Sequence, residues 1–217
     1  MLNDDKLVTC IRKGLAFLRT FFKQMQTSDG GIPVSGGSIE SWRVNNIEID
    51  ILSYDAKLYK CDEFEIEQVV SKLSDGTITV KTLWPTAYLA ESYILGGIID
   101  KKKVAGSGRF KITVTNFSAS LDVKFQENES NVEIKDLKFD ANFENVEVTI
   151  SGLEVEGNEN PETLMNNAIQ KDKDKFKEML QANTTFLSKQ ALVVMNLQLK
   201  RTTKKAVVDT VTSWCNL

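Results

Sequence analysis

The sequence predicts an α+β protein, a strongly curved antiparallel sheet wrapped around a long C-terminal helix, with an amphipathic helix at the N-terminus. Three observations carry this reading. Apolar residues recur at helical spacing up to Gln26 and again from Pro161. Between Trp42 and Ile150 the period changes to two. Within that region the apolar set slips repeatedly from one strand face to the other, which marks bulged and bent strands.

Asn3 and Asp4 can cap the first helix, and Leu7, Ile11, Gly14, Leu18, Phe21 or Phe22, and Met25 then fall on one face. Ser28-Asp29-Gly30-Gly31 ends it, and Pro33 with Gly36-Gly37 continues as loop. The strands follow. Ile47, Ile49 and Ile51 give way to Leu52, Tyr54, Ala56 and Leu58 in the opposite phase. Phe110, Ile112 and Val114 give way to Phe117, Leu121, Val123 and Phe125, and Val132 and Ile134 to Leu137 and Phe139. Asp75-Gly76 and Glu127-Asn128-Glu129-Ser130 read as hairpin turns, so the strands are antiparallel. Val146, Val148 and Ile150 share a phase in the last strand, which leads past Gly152, Gly157 and Asn158 to the final helix.

That helix starts with Asn160 as cap and Pro161 in its first turn. Ile169, Phe176, Leu180, Leu187, Ala191 and Val194 form one seam, and from Phe186 onward apolar residues cover nearly the whole circumference. A helix apolar all round is expected to be surrounded. Unbroken to Leu199 it would run roughly 55 Å. Asn183 falls on the seam between Leu180 and Leu187, so its sequon is expected to face inward and stay unglycosylated, whereas Asn128 lies in a polar turn open to sugar.

At 217 residues the chain is read as one domain, 1–217. A formal charge of −3 gives no broad basic field for nucleic acid, and no apolar run is long enough for an integral membrane segment. Histidine is absent, which excludes Ser-His-Asp and Cys-His catalysis and histidine metal ligation. Cys10, Cys61 and Cys215 are too scattered for a zinc cluster; they leave open one disulfide with one thiol, or three thiols. No metal or cofactor is expected. After Met1 the residues LNDDK show neither region of a signal peptide, so the chain reads as intracellular or as lacking its leader.

Few residues carry chemistry. Gly106-Ser107-Gly108-Arg109-Phe110 lacks the third glycine of a phosphate loop and reads as a turn before a strand. Lys101-Lys102-Lys103 offers a peripheral contact to anionic lipid, or a solvated edge. Carboxylates such as Asp62, Glu63 and Glu65 come with no substrate-binding signature, so the chain is not read as an enzyme. Trp42, Trp84, Tyr88 and Tyr93 are core aromatics or a stacking surface for a ligand.

The run LWPTAYLAESYILGGIIDKKKVAGSGRFKITVTNFSASLDVKF, from Leu83 to Phe125, resembles the middle of the arthropod juvenile hormone-binding and takeout-like proteins. The stretch LKFDANFENVEVTISGLEVEGNENPETLMNNAIQKDKDKFKEML is similar to the same family's last strands and long helix, and the opening helix and layout resemble the group 7 dust-mite allergens. Cys10 stands alone where hormone-binding members have two close cysteines, which points towards the allergen side. The resemblance implies a secreted, non-enzymatic carrier or sensor of a small apolar ligand, such as a terpenoid hormone, fatty acid or other lipid, held in an elongated cavity. On that reading the ligand contacts are Phe17, Phe21, Trp84, Phe139, Phe176, Leu180, Asn183, Leu187 and Val194. The alternative is an innate-recognition or protein-interaction module with a filled interior. Oligomeric state is not legible in the sequence.

Overall fold

A computed structural model of the chain describes residues 3–34, 37–127, 132–157 and 159–216. Two long strands, β5 (Thr77–Ile99) and β6 (Lys102–Glu127), form a hairpin paired from Thr77 opposite Lys124 to Ile99 opposite Lys102. At about 3.3 Å per residue, β5 alone represents about 75 Å of strand path. Asp100 and Lys101 close the hairpin with φ of 49° and 68°, the left-handed pair that a two-residue turn on twisted strands demands. The other strands attach to its two halves. Near the turn, β3 (Ile47–Tyr59) pairs with β5, followed outward by β2 (Ser38–Val44) and the short β1 (Ile32–Pro33); β8 (Asn145–Ile150) and β9 (Leu153–Val155) pair with β6. At the far half, β4 (Glu65–Lys72) pairs with β5 and β7 (Val132–Asn142) with β6. All these pairings are antiparallel, as the turns predicted.

The phase slips have physical causes. In β3 burial continues past Ile51 to Ser53, with Leu52 and Tyr54 exposed on the other face, so the expected slip comes later. It falls between Tyr54 and Lys57, where Asp55 has a φ of 55°. In β6 the switch from Val114 to Phe117 passes through Asn116 at φ 48°. In β7 the slip from Ile134 to Leu137 is a bulge, with Ile134 opposite Phe125 and Asp136 opposite Lys124. Gly106 and Gly108 lie inside β6, correcting the expected turn. A Cβ on Gly106 would stand 2.1 Å from the Gly152 carbonyl oxygen, and one on Gly108 2.1 Å from that of Ser151. The proposed turn at Asn128, and its sequon, lie outside the described residues.

Helix α1 (Asp4–Met25) starts as predicted, with the Asn3 side chain accepting from Lys6 N–H. The Asp4 carboxylate accepts from Ser71 Oγ and from Leu73 N–H; the Ser71 bond first, then the backbone bond, hold it below the usual carboxylate range. The Arg19 guanidinium lies over the Phe64 ring and donates to its carbonyl at 2.6 Å. A disulfide joins Cys10 to Cys215, just beyond α4 (Lys204–Trp214), and Cys61 is free.

The long C-terminal helix is interrupted at one residue. Helix α2 (Pro161–Lys171) ends at Asp172, whose N–H bonds the carbonyls of Ala168 and Ile169 and whose buried carboxylate accepts from Asn45; α3 (Lys173–Leu199) follows. Leu164, Met165, Ala168 and Ile169 of α2 enter the core with Ile47, Ile49, Tyr93, Leu95, Phe110 and Val148. Each segment also lies along a sheet edge. Val148 N–H donates to Asn166 Oδ1 while Asn166 Nδ2 donates to the Val148 carbonyl; Glu162 accepts from Ile150 N–H, and Gln170 donates to the Val146 carbonyl. On α3, Asn196 makes the same double contact with Ile134, and Ser188 Oγ accepts from Phe139 N–H.

Expectations for the second half of α3 are corrected here. Its buried residues include Thr184 and Ser188, while Phe186, Leu187, Val193, Val194, Met195 and Leu197 are exposed. Helical spacing assigns apolar residues first claim on the sheet, but the unpaired backbone of β7 takes hydrogen-bonding side chains instead. Asn183 is likewise exposed.

Asn166→Ala strands the Val148 N–H and carbonyl together and should cost about 1–3 kcal/mol, read from the urea midpoint. Asn196→Ala should match it at Ile134. Losses under about 0.5 kcal/mol in both would show that these amides do not hold the edges. When the protein is secreted from a glycosylating cell, Asn183 should carry sugar; peptide mapping that finds it empty would mean this helix face is covered.

Candidate functional site

The apolar cleft is built where β6 changes phase. Ile112 pairs across to Val148 and Val114 to Val146, placing four aliphatic side chains on one wall. The turn of the backbone at Asn116 then brings Phe117 onto the same side, and Phe143 joins from the corner between β7 and β8. Trp42 comes from β2, Ile169 from α2, and Phe176 and Leu180 from α3, so both helical segments flanking Asp172 contribute. The space measures about 340 Å³, near the lower end of the roughly 300–1,000 Å³ typical of small-molecule sites. Among the described residues, no lining side chain is titratable. The Trp42 Nε1–H is already donated to Glu40 at 3.0 Å, and the Trp42 and Phe176 rings meet edge to face at 6.4 Å.

Towards the hairpin turn the cleft closes. The gap among Ile49, Ile51, Leu95, Phe110 and Met165 is only about 10 Å³, a packed core. Towards α1 a file of rings leads away: Phe117 to Trp84 at 5.7 Å, Trp84 to Phe64 at 5.3 Å, and Phe64 to Phe22 at 6.5 Å.

Of the nine residues expected to touch a ligand, Phe176 and Leu180 line the cleft. Trp84 is one ring away, with Nε1 donating to the Cys61 carbonyl at 3.1 Å. Phe139 is half-buried on β7. Phe17, Phe21, Asn183, Leu187 and Val194 are exposed and outside the cleft, the last three because α3 turns its hydrogen-bonding side to β7. The β6 and β8 walls and Phe143 were missed, although the slip between Val114 and Phe117 was their signal.

A larger hollow of about 590 Å³ lies by the β3 bulge, lined by Asp29, Lys57, Glu91 and Arg109 among others. Its Tyr54, Ser92 and Arg109 sit at strand positions alternating with buried Ser53, Tyr93 and Phe110, so it belongs largely to the outer face. Lys57, hydrogen-bonded at 2.6 Å, does most to hold Asp29 far below the usual carboxylate range, and burial pushes the Glu91 carboxyl up. In the lysine run, Lys102 pairs with Glu159, and nearby Lys171 pairs with Asp100, as in a solvated edge. Among the described residues, no cluster of three or more acidic or cysteine side chains is arranged for a metal, and no helix is long and apolar enough to cross a membrane.

The sequence profile of the haemolymph juvenile hormone binding protein family matches residues 2–209. The chain belongs to this family. No curated protein sequence matches it. Among solved structures, this juvenile hormone binding family member is similar to Takeout 1 of Epiphyas postvittana, at 17% identity over 86% of this chain and 92% of that one, with a TM-score of 0.48. It is also similar to lipopolysaccharide binding protein, at 12% identity and a TM-score of 0.46 over 85% of this chain; the match spans 38% of that protein's length.

Proposed function

We propose that this family member is a non-enzymatic carrier or sensor of a small apolar ligand, a terpenoid, fatty acid or related lipid, held in the cleft between β6, β8 and the C-terminal helices. The supporting observation is the lining itself: among the described residues it is hydrocarbon and aromatic, with no charge to match and no nucleophile to react. Burying roughly fifteen ligand carbons at about 0.8 kcal/mol each gives about 12 kcal/mol gross. Association costs of at least about 4 kcal/mol leave micromolar affinity or somewhat better. Specificity then rests on shape. The Cys10–Cys215 disulfide fits an oxidising, extracellular setting.

Native mass spectrometry of freshly purified protein, followed by organic extraction, should find a co-purifying apolar molecule. An empty protein that also fails to bind a fluorescent fatty-acid probe sinks the reading. Leu180→Trp, filling the cleft from α3, should weaken probe binding at least about tenfold while lowering stability by less than the 1–3 kcal/mol typical of an overpacked core. The reverse pattern would mean a filled interior. Probe affinity should change by less than about twofold between low and moderate salt, since no charge lines the cleft; a tenfold fall would reveal a charged contact.

A further inference from the structure

Helix α3 is turned inside out in its second half. Thr184 and Ser188, which on an ordinary surface helix would face water, are buried, and Ser188 and Asn196 bond the β7 backbone. Phe186, Val193 and Leu197, spaced seven and four residues apart, therefore form one outward stripe at 61%, 58% and 53% exposure. Lone exposed apolar residues need no explanation, but a helical row of three large ones, bordered by Leu187 and Val194, does.

Charge says what covers the stripe. Between Leu180 and Val208 the chain has five cations and no carboxylate, and between Lys6 and Gln26 it has five more and none, in a protein whose overall formal charge is −3. Lys189 and Lys200 follow Phe186 and Leu197 by three residues and so border the stripe itself, Lys200 within electrostatic reach of Glu133 on β7, which also pairs with Lys135. Helix α1 adds Phe17, Phe21 and Met25, all exposed. It is tied to α4, the continuation of α3, by the disulfide and by Trp214 against Gly14. A two-fold dimer through the stripe would crowd the cations of both helices into one interface with no carboxylate between Leu180 and Val208 on either to pair them, which disfavours a second chain as occupant. Apolar side chains rimmed by lysines are instead the pattern of a helix lying in a lipid interface, where the rings enter the headgroup boundary and the cations meet acidic phosphates.

We propose that the outward face of α3 docks on the surface of an anionic lipid bilayer. The docking does not require an occupied cleft. It does bring the helix bearing Phe176 and Leu180 to the membrane, where Leu187 and Val194 prolong the row begun by Leu180 in steps of seven. Cationic charge concentrates the protein at the surface, and the stripe holds it there.

Flotation of the intact, oxidised protein with vesicles tests this. It should float with a seven-to-three mixture of phosphatidylcholine and phosphatidylglycerol, stay behind with phosphatidylcholine alone, and be released by salt. Lys189→Glu with Lys200→Glu should weaken binding at least about thirtyfold, taking roughly 1 kcal/mol for each cation lost. Phe186→Ser, Val193→Ser and Leu197→Ser together should weaken it at least about tenfold. These positions are exposed and off the cleft, so thermal unfolding and fluorescent fatty-acid binding in solution should stay as in the parent. Docking with failed probe binding would overturn the carrier reading alone. No flotation on anionic vesicles, equal flotation on both compositions, insensitivity to both variant sets, or sedimentation as a dimer that those variants dissociate would each overturn the docking.

Discussion

The molecule depends on how its sheet edges are closed. Among the described residues, β7 and β8 each pair with β6 on one side only, leaving N–H and carbonyl groups that would otherwise invite another strand. Helices close them because two repeats nearly coincide: four helical residues rise about 6.0 Å and two strand residues about 6.6 Å. Side chains at every fourth position can therefore meet every second strand residue. Glu162, Asn166 and Gln170 meet Ile150, Val148 and Val146 in that manner, and Ser188 and Asn196 keep a similar step along β7, where the bulge takes up one residue. The primary amide suits the task because one group donates and accepts side by side, as a strand neighbour would.

This arrangement fixes where the cleft forms. Once the polar row of α2 is committed to β8, the opposite flank carries Leu164, Met165, Ala168 and Ile169 into the core. Where the row resumes on α3 along β7, the helix has passed the Asp172 interruption, and Phe176 and Leu180 lie over the corner at which β6 changes partners from β8 to β7. Neither strand neighbour fills that corner. Phe143 and Phe117 narrow it without closing it.

Much of the fold was legible because periodicity reports burial directly. The caps at Asn3 and Asn160, the turn after Asp75 and the phase shift at Ile134 all stand where the residues indicated. The α3 surface was misread for a physical reason. A helical wheel ranks faces by hydrophobicity, whereas a helix beside an open strand edge is oriented by hydrogen bonds that no wheel counts. Glu162, Asn166, Gln170 and Ser188 look like solvent-facing positions until β7 and β8 are placed beside them. The cleft's helical side is marked by the spacing of Phe176 and Leu180, whereas its strand wall needs the cross-strand register of Ile112 and Val114.

Cys10 and Cys215 are 205 residues apart in sequence, so the disulfide turns nearly the whole chain into a covalent ring. One protease cut anywhere inside that ring opens it without dividing it. The two fragments remain a single molecule until a second cut is made or the sulfur bond is reduced. The exposed residues on the second half of α3 lie within the ring, so a nick there leaves both new ends attached to the same sheet.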